Sequence, residues 1–157
     1  VSDAKPNIVV VCTGNICRSP MGEVVLRDRL ADAGVEAHVA SAGISSEELG
    51  NPIDRRAARA LGARGYAVPD RTARWVGADD LAADLLLAMT RQHRAALVRR
   101  GADPERVRLW MEFVPGASSE DVSDPWYGDA SDFEETLDLV EQGADGVVAA
   151  IRTLGKG

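Results

Sequence analysis

An α/β fold, a four-stranded parallel sheet with helices on both faces, is the class that this sequence predicts, and three observations predict it. Residues 8–11, Ile-Val-Val-Val, are β-branched without alternation, the pattern of a strand covered on both sides. Strand-like and helix-like segments then alternate along the chain, as they do where crossover helices join parallel strands. Finally, 157 residues of 45% hydrophobic content hold no repeat, low-complexity tract or linker, so one domain spanning 1–157 is expected.

The elements follow in order. After the strand at 8–11 comes a loop, and Ser19 and Pro20 suit the N-cap and first position of a helix that runs through "MGEVVLRDRLADAG" and stops at Gly34. "EAHVASAG" (36–43) reads as a second strand, 54–65 as a helix, "DLLLAM" (84–89) as a third strand and 91–101 as a helix. "VRLWMEF" (107–113) reads as a fourth strand at a sheet edge. In the last helix Ser131 and Glu134 fit a capping box, and Phe133, Leu137, Val140, Ala144, Val147, Ile151 and Leu154 fall on one face. Two long loops, 45–53 and 115–132, are candidates for function, because ligands of such sheets bind beyond the carboxyl ends of the strands.

Charge and composition narrow the partners. A net charge of -7 without a Lys/Arg run argues against a nucleic-acid partner, since duplex affinity comes mostly from phosphate neutralisation. No basic leader precedes a long apolar segment and no apolar run approaches the ~18 residues of a membrane span, so a soluble, cytoplasmic protein with no membrane partner is expected. Cys12 and Cys17 are the chain's two cysteines, too few for a disulfide framework or a four-cysteine zinc site. They read as reduced and open to reaction.

Both lie in "VCTGNICRSP", residues 11–20, between the first strand and first helix. A strand-to-helix loop turns its N–H groups toward one point, and the helix dipole makes that point attractive to an anion. Gly14 and Asn15 suit the tight turn, and Arg18 offers a planar fork for two phosphoryl oxygens. Cys12 at the base of the loop faces that anion. The N–H groups and Arg18 favour its thiolate, with Ser19 the nearest hydroxyl able to donate to the sulfur. A strand-end cysteine alone is commonly a small buried hydrophobe; its company here points to a nucleophile. The loop lacks both the Gly-Lys-Ser/Thr of a nucleotide loop and a GxGxxG.

Displacing an alkoxide or phenoxide from phosphorus is easier when an acid protonates the departing oxygen. "SDPWYGDASDF" (123–133) offers Asp124, followed by Pro125 and the aromatic pair Trp126 and Tyr127. Taken alone, Asp-Pro also fits an ordinary turn, and the aromatics a place in the core.

Together, the Cys-x5-Arg-Ser loop near the N-terminus and Asp-Pro, aromatics and "GDASDF" near the C-terminus resemble the low-molecular-weight protein tyrosine phosphatases over essentially the whole length. The resemblance implies hydrolysis of phosphotyrosine monoesters through a cysteinyl-phosphate, with Cys12 the nucleophile, Arg18 the phosphate clamp and Asp124 the general acid and later base. It implies that Thr13, Gly14, Asn15, Ile16, Cys17 and Ser19 form the substrate loop, with Ser41 in its supporting polar network and Cys17 as a second loop cysteine. Trp126 and Tyr127 match an aromatic wall beside the substrate ring. Glu47 falls where the family usually has an aromatic on the opposite wall. Thr90 stands where many members have Asp and Arg71 where many have His; neither is expected to touch the chemistry. Tyrosine-phosphorylated proteins or peptides and small aryl phosphates are the implied substrates, and no metal or organic cofactor is implied. A related arginine phosphatase carries Thr at the position of Ile16, and thioredoxin-coupled arsenate reductases need cysteines downstream of Cys17. A noncatalytic anion-binding module would lack an acid such as Asp124. His38 and His93 read as structural or solvated, and Trp75 and Trp110 as packing residues.

Overall fold

The architecture, seen in a computed structural model that describes residues 5–154, is set by a central strand covered on both faces. Strand β1 (Asn7–Cys12) is buried from Ile8 onward, as its β-branched run requires. Helix α1 (Arg18–Ala33) leads to β2 (His38–Gly43), α2 (Arg55–Ala63), α3 (Ala78–Leu81), β3 (Leu85–Ala88), α4 (Arg91–Arg99), β4 (Val107–Leu109) and α5 (Ala130–Leu154). The sheet order is β2-β1-β3-β4, all parallel. Ile8, Val10 and Cys12 belong to the core layer under α1, α2 and α5, while Val9 and Val11 belong to the layer on the other face, which α4 covers. Because the chain leaves β1 for β2 on one side and returns to β3 on the other, the crevice of the sheet opens at Cys12.

Most element boundaries move by two residues or fewer from the expected ones, but four readings change. The fourth strand stops at Leu109, and Trp110–Phe113 turn into a 3-10 helix. Glu112 closes that turn by accepting from the Leu109 N–H at 2.6 Å, which sends Trp110 into the core with its indole N–H donating to the Val140 carbonyl at 3.3 Å. Ser19 does not cap α1. The helix starts at Arg18 after an N-cap, Cys17, that makes no side-chain cap bond, and the Ser19 hydroxyl is used by the loop instead. Nor do Ser131 and Glu134 form the box on α5: the Asp129 carboxylate accepts from the Ser131 N–H at 2.9 Å and the Asp129 N–H donates to Asp132 at 2.8 Å. Glu134 instead pairs with Arg64 at 2.7 Å. The short α3 was not anticipated; Asp80 nucleates it by accepting from the Gly77 N–H at 2.8 Å.

Trp110 packs as expected, fully buried, but Trp75 is 52% exposed and donates to the Ile44 carbonyl. The buried face of α5 runs from Phe133 to Ile151, with Leu154 at its exposed end. No helix among the described residues is long and apolar enough to cross a membrane.

Candidate active site

The loop between β1 and α1 holds its shape because neighbouring segments donate to its carbonyls. The Cys12 carbonyl accepts from Ile44 N–H (3.0 Å), that of Thr13 from Ser45 N–H (2.9 Å) and that of Ile16 from Asp54 N–H (2.9 Å). Gly43 permits this crossing, since a Cβ there would stand 2.8 Å from the Thr13 carbonyl oxygen. The N–H groups of residues 13–17 have no acceptor among the described residues, so they remain available to an anion. Asn15 takes the left-handed turn, with φ of 60°, as its residue type allows. Gly14 serves space more than torsion: a Cβ on it would meet the Glu48 side chain at 3.0 Å.

Asn15 is buried and organises the sulfur from behind. Residues 71–76 run beside the end of β2, bridging Gly43 to Trp75 and Pro52 to Thr72, and this brings Arg71 and Arg74 beneath the loop. Arg71 donates to the Asn15 carbonyl at 2.9 Å and to its Oδ1, which also accepts from the Arg74 N–H at 2.9 Å. The amide is thereby oriented, and Nδ2 donates to Ser19 Oγ (2.8 Å) and Ser41 Oγ (2.9 Å). The Ser41 hydroxyl in turn donates to Glu23 Oε1. With a lone pair of Ser19 occupied by the amide, its single proton is directed at Cys12 Sγ, 3.0 Å away. Arg71, expected to lie apart from the chemistry, is therefore two hydrogen bonds from the hydroxyl that serves the sulfur.

Arg18 is buried, and its fork is held by groups from the loop and from the segment around Asp124. Nη1 donates to the Val122 carbonyl at 3.0 Å, and Nη2 reaches Thr13 Oγ1 at 3.4 Å and Asp124 Oδ2 at 3.5 Å. Asp124 is half-exposed, and its other oxygen accepts from the Trp126 N–H at 3.0 Å. Thr13 Oγ1 also shares a proton with His93 Nε2 at 2.8 Å. Burial, and then the Arg18 cation, push the His93 imidazole down to about 4 against the pull of Asp124 and Asp121, so the ring is neutral at neutral pH. His93 is structural as expected, yet it stands behind the loop itself.

These groups surround a cavity of about 170 Å³ lined by Cys12, Thr13, Gly14, Ile16, Cys17, Arg18, Ser45, Glu47, Glu48, Asp124, Trp126 and Tyr127. Thus loop, clamp, acid, aromatic pair and Glu47 come together, while Asn15, Ser19 and Ser41 lie behind the wall as support. Ser45 and Glu48 also line the cavity; the sequence marks them only as part of the 45–53 loop, without singling either out. Tyr127 is 93% exposed and Trp126 38%, so the aromatic pair forms a rim rather than part of the core. Cys17 is buried, and that burial, then the neighbouring Asp54 carboxylate, raise its thiol well above the usual range, so it stays protonated. A wider groove of about 1100 Å³ beside β4 is lined by Arg91, Arg94 and Arg108 among others and by neither cysteine. No group of three or more His, Cys, Asp or Glu among the described residues is arranged to hold a metal ion.

Comparison with known proteins agrees with this geometry. The family model for low molecular weight phosphotyrosine protein phosphatases matches residues 7–156. The chain belongs to that family. Among its relatives, low molecular weight protein-tyrosine phosphatase A of Mycobacterium tuberculosis is 43% identical over 145 residues, covering 90% of this chain and 88% of the relative. Among solved structures, YfkJ from Bacillus subtilis superposes with a TM-score of 0.90 at 30% identity, covering 98% of this chain and 99% of YfkJ. The arginine phosphatase YwlE, solved with a phosphorylated active-site serine, superposes with a TM-score of 0.84 at 29% identity, covering 93% of this chain and 95% of YwlE. The phosphatase loop of this family member is thus the one that follows β1.

Proposed function

We propose that this phosphatase hydrolyses phosphotyrosine monoesters, with Cys12 as nucleophile, Arg18 as phosphate clamp and Asp124 as general acid and base. One observation carries the assignment: the Cys12 sulfur, 3.0 Å from the Ser19 hydroxyl, lies in a cavity bounded by Arg18, while Asp124 occupies the same cavity wall beside Trp126 and Tyr127. The substrate phosphoryl group takes the loop N–H groups and the fork of Arg18. Its arrival replaces the Arg18 contact with the half-exposed Asp124, a pair of the kind worth about 0–1 kcal/mol. As the S–P bond forms in line, the P–O bond to the phenol breaks and Asp124 gives its proton to the leaving oxygen. Asp124 then removes a proton from water, the new O–P bond forms, and the S–P bond breaks to release inorganic phosphate and the thiolate.

Two rim aromatics beside the loop favour an aryl ester, and Ile16 lines the cavity where the arginine phosphatase class carries Thr. The reading extends to tyrosine-phosphorylated proteins or peptides in the cytoplasm, with no nucleic-acid or membrane partner. The net charge of -7 supports that part, since it disfavours polyanionic surfaces. Purified protein offered phosphotyrosine, phosphoserine and phosphoarginine peptides tests the reading: release of phosphate from phosphotyrosine alone is expected, and faster release from phosphoarginine would replace it.

A further inference from the structure

Asp124 sits in no helix or strand, so an acid that must meet one departing oxygen depends on whatever fastens its segment. On the near side, Arg18 holds the Val122 carbonyl at 3.0 Å. On the far side, Arg56, in the first turn of α2, donates from Nη1 to the carbonyls of Trp126 (3.0 Å) and Gly128 (3.3 Å). Its guanidinium also lies 5.3 Å from the Trp126 ring centre and 4.5 Å from that of Phe133, which starts the buried face of α5. The opposite edge of the fork is paired with Asp54, Nε to Oδ1 and Nη2 to Oδ2, both at 3.1 Å. Asp54 in turn caps α2, accepting from the Arg56 N–H at 2.7 Å, and donates its own N–H to the Ile16 carbonyl of the phosphate loop at 2.9 Å. One unbroken path, Ile16 to Asp54 to Arg56 to Trp126 and Gly128, joins the loop that holds the nucleophile to the segment that carries the acid.

We propose that Arg56, braced by Asp54, is a positioning residue for the general acid. It touches neither the cavity nor the substrate site; it sets where the backbone on either side of Tyr127 stands, and through it the place of Asp124. A guanidinium is needed because three of its nitrogens act at once on a carboxylate and two carbonyls, and a lysine ammonium cannot span that fork. The inference rests on the phosphatase reading given above, and it adds a residue through which that reaction is tuned.

The test uses the full chain and its Arg56→Ala, Arg56→Lys and Asp54→Asn variants, each made with Asp124 intact and with Asp124→Ala. kcat/KM is measured over aryl phosphates from dinitrophenyl to unsubstituted phenyl, and thermal unfolding is followed in parallel so that rates are compared only on folded protein. A well-placed acid contributes ~10²–10⁴-fold, mainly to poor leaving groups. Arg56→Ala is therefore expected to slow phenyl phosphate by about tenfold or more and dinitrophenyl phosphate by less than about threefold. Arg56→Lys should not restore the loss. Asp54→Asn, which keeps the cation and loosens its fork, should give a smaller loss of the same pattern, and it carries the test should Arg56→Ala not fold. With Asp124→Ala the Arg56 effect should vanish. An equal loss across the series, or the same fractional loss with and without Asp124, overturns the positioning role. Failure of the unmodified chain to turn over any aryl phosphate would instead overturn the phosphatase reading beneath it.

Discussion

Arg71 holds Asn15 by two groups at once, the backbone carbonyl at 2.9 Å and the side-chain Oδ1, and so fixes the one left-handed non-glycine residue among those described. The hold fixes which way the Asn15 amide faces, and the amide fixes where the Ser19 proton goes. Replacing Arg71 with Gln should leave the fold in place and slow alkylation of Cys12 by iodoacetate at neutral pH by about two- to twelvefold, the worth of ~0.5–1.5 kcal/mol of hydrogen bonding. kcat/KM should fall with it. Unchanged alkylation would mean that Arg74 and the backbone alone suffice to orient the amide.

Cys12→Ser should abolish turnover while leaving phosphate binding to the loop measurable by calorimetry. Asp124→Ala should cost poor leaving groups far more than good ones, within the ~10²–10⁴-fold expected of an acid. A uniform loss across a leaving-group series would take Asp124 out of the role that its place beside Arg18 supports.

His93 should make the fold sensitive to acid. Its folded value of about 4 lies below the usual 6.5, so the unfolded chain binds a proton that the native protein refuses as pH falls between those values. Nothing is lost above about pH 7, where both states are neutral, and the cost grows to about 2 kcal/mol by pH 5 before levelling below pH 4. Denaturant titrations at pH 7.5 and 5 (both roughly bracketing the ordinary histidine range) should show this drop shrinking in His93→Gln. A drop of equal size in the variant would assign the acid sensitivity to the carboxylates.

Glu47 and Glu48 put two carboxylates on the cavity rim, where no aromatic side chain faces Trp126 and Tyr127 among the lining residues. Glu47→Trp should lower KM for small aryl phosphates about two- to twelvefold with little change in kcat, because ring packing of ~0.5–1.5 kcal/mol is much the same in ground and transition states. Peptides with Lys or Arg beside the phosphotyrosine should be preferred over acidic ones, less so at high salt, and Glu47→Gln combined with Glu48→Gln should remove the preference. Should the double variant keep it, the charges that read the peptide lie elsewhere.

How much could be read in advance follows the separation of the residues involved. The strand, turn, nucleophile and clamp are legible because they occupy one contiguous stretch, residues 8–20, where hydrophobic run, loop residues and spacing all speak locally. The four-stranded parallel sheet follows from alternation of the same local kind. Asp124 stands over a hundred residues away and was assigned through resemblance, since an Asp-Pro pair fits a plain turn equally well.

What the sequence by itself determined, then, is the chemistry of the loop, because that chemistry needs residues at fixed short spacings. Only the tertiary structure decided what holds the loop and the acid: Arg71 under Asn15, His93 behind Thr13 and Arg56 beside Trp126 are joined across 56, 80 and 70 residues. It also decided that Ser19 serves the sulfur rather than the helix end, and that Trp110 leaves the fourth strand for the core. Each is a competition among several possible partners for one polar or apolar group, and the winner is set by which elements the packed sheet and helices bring within reach.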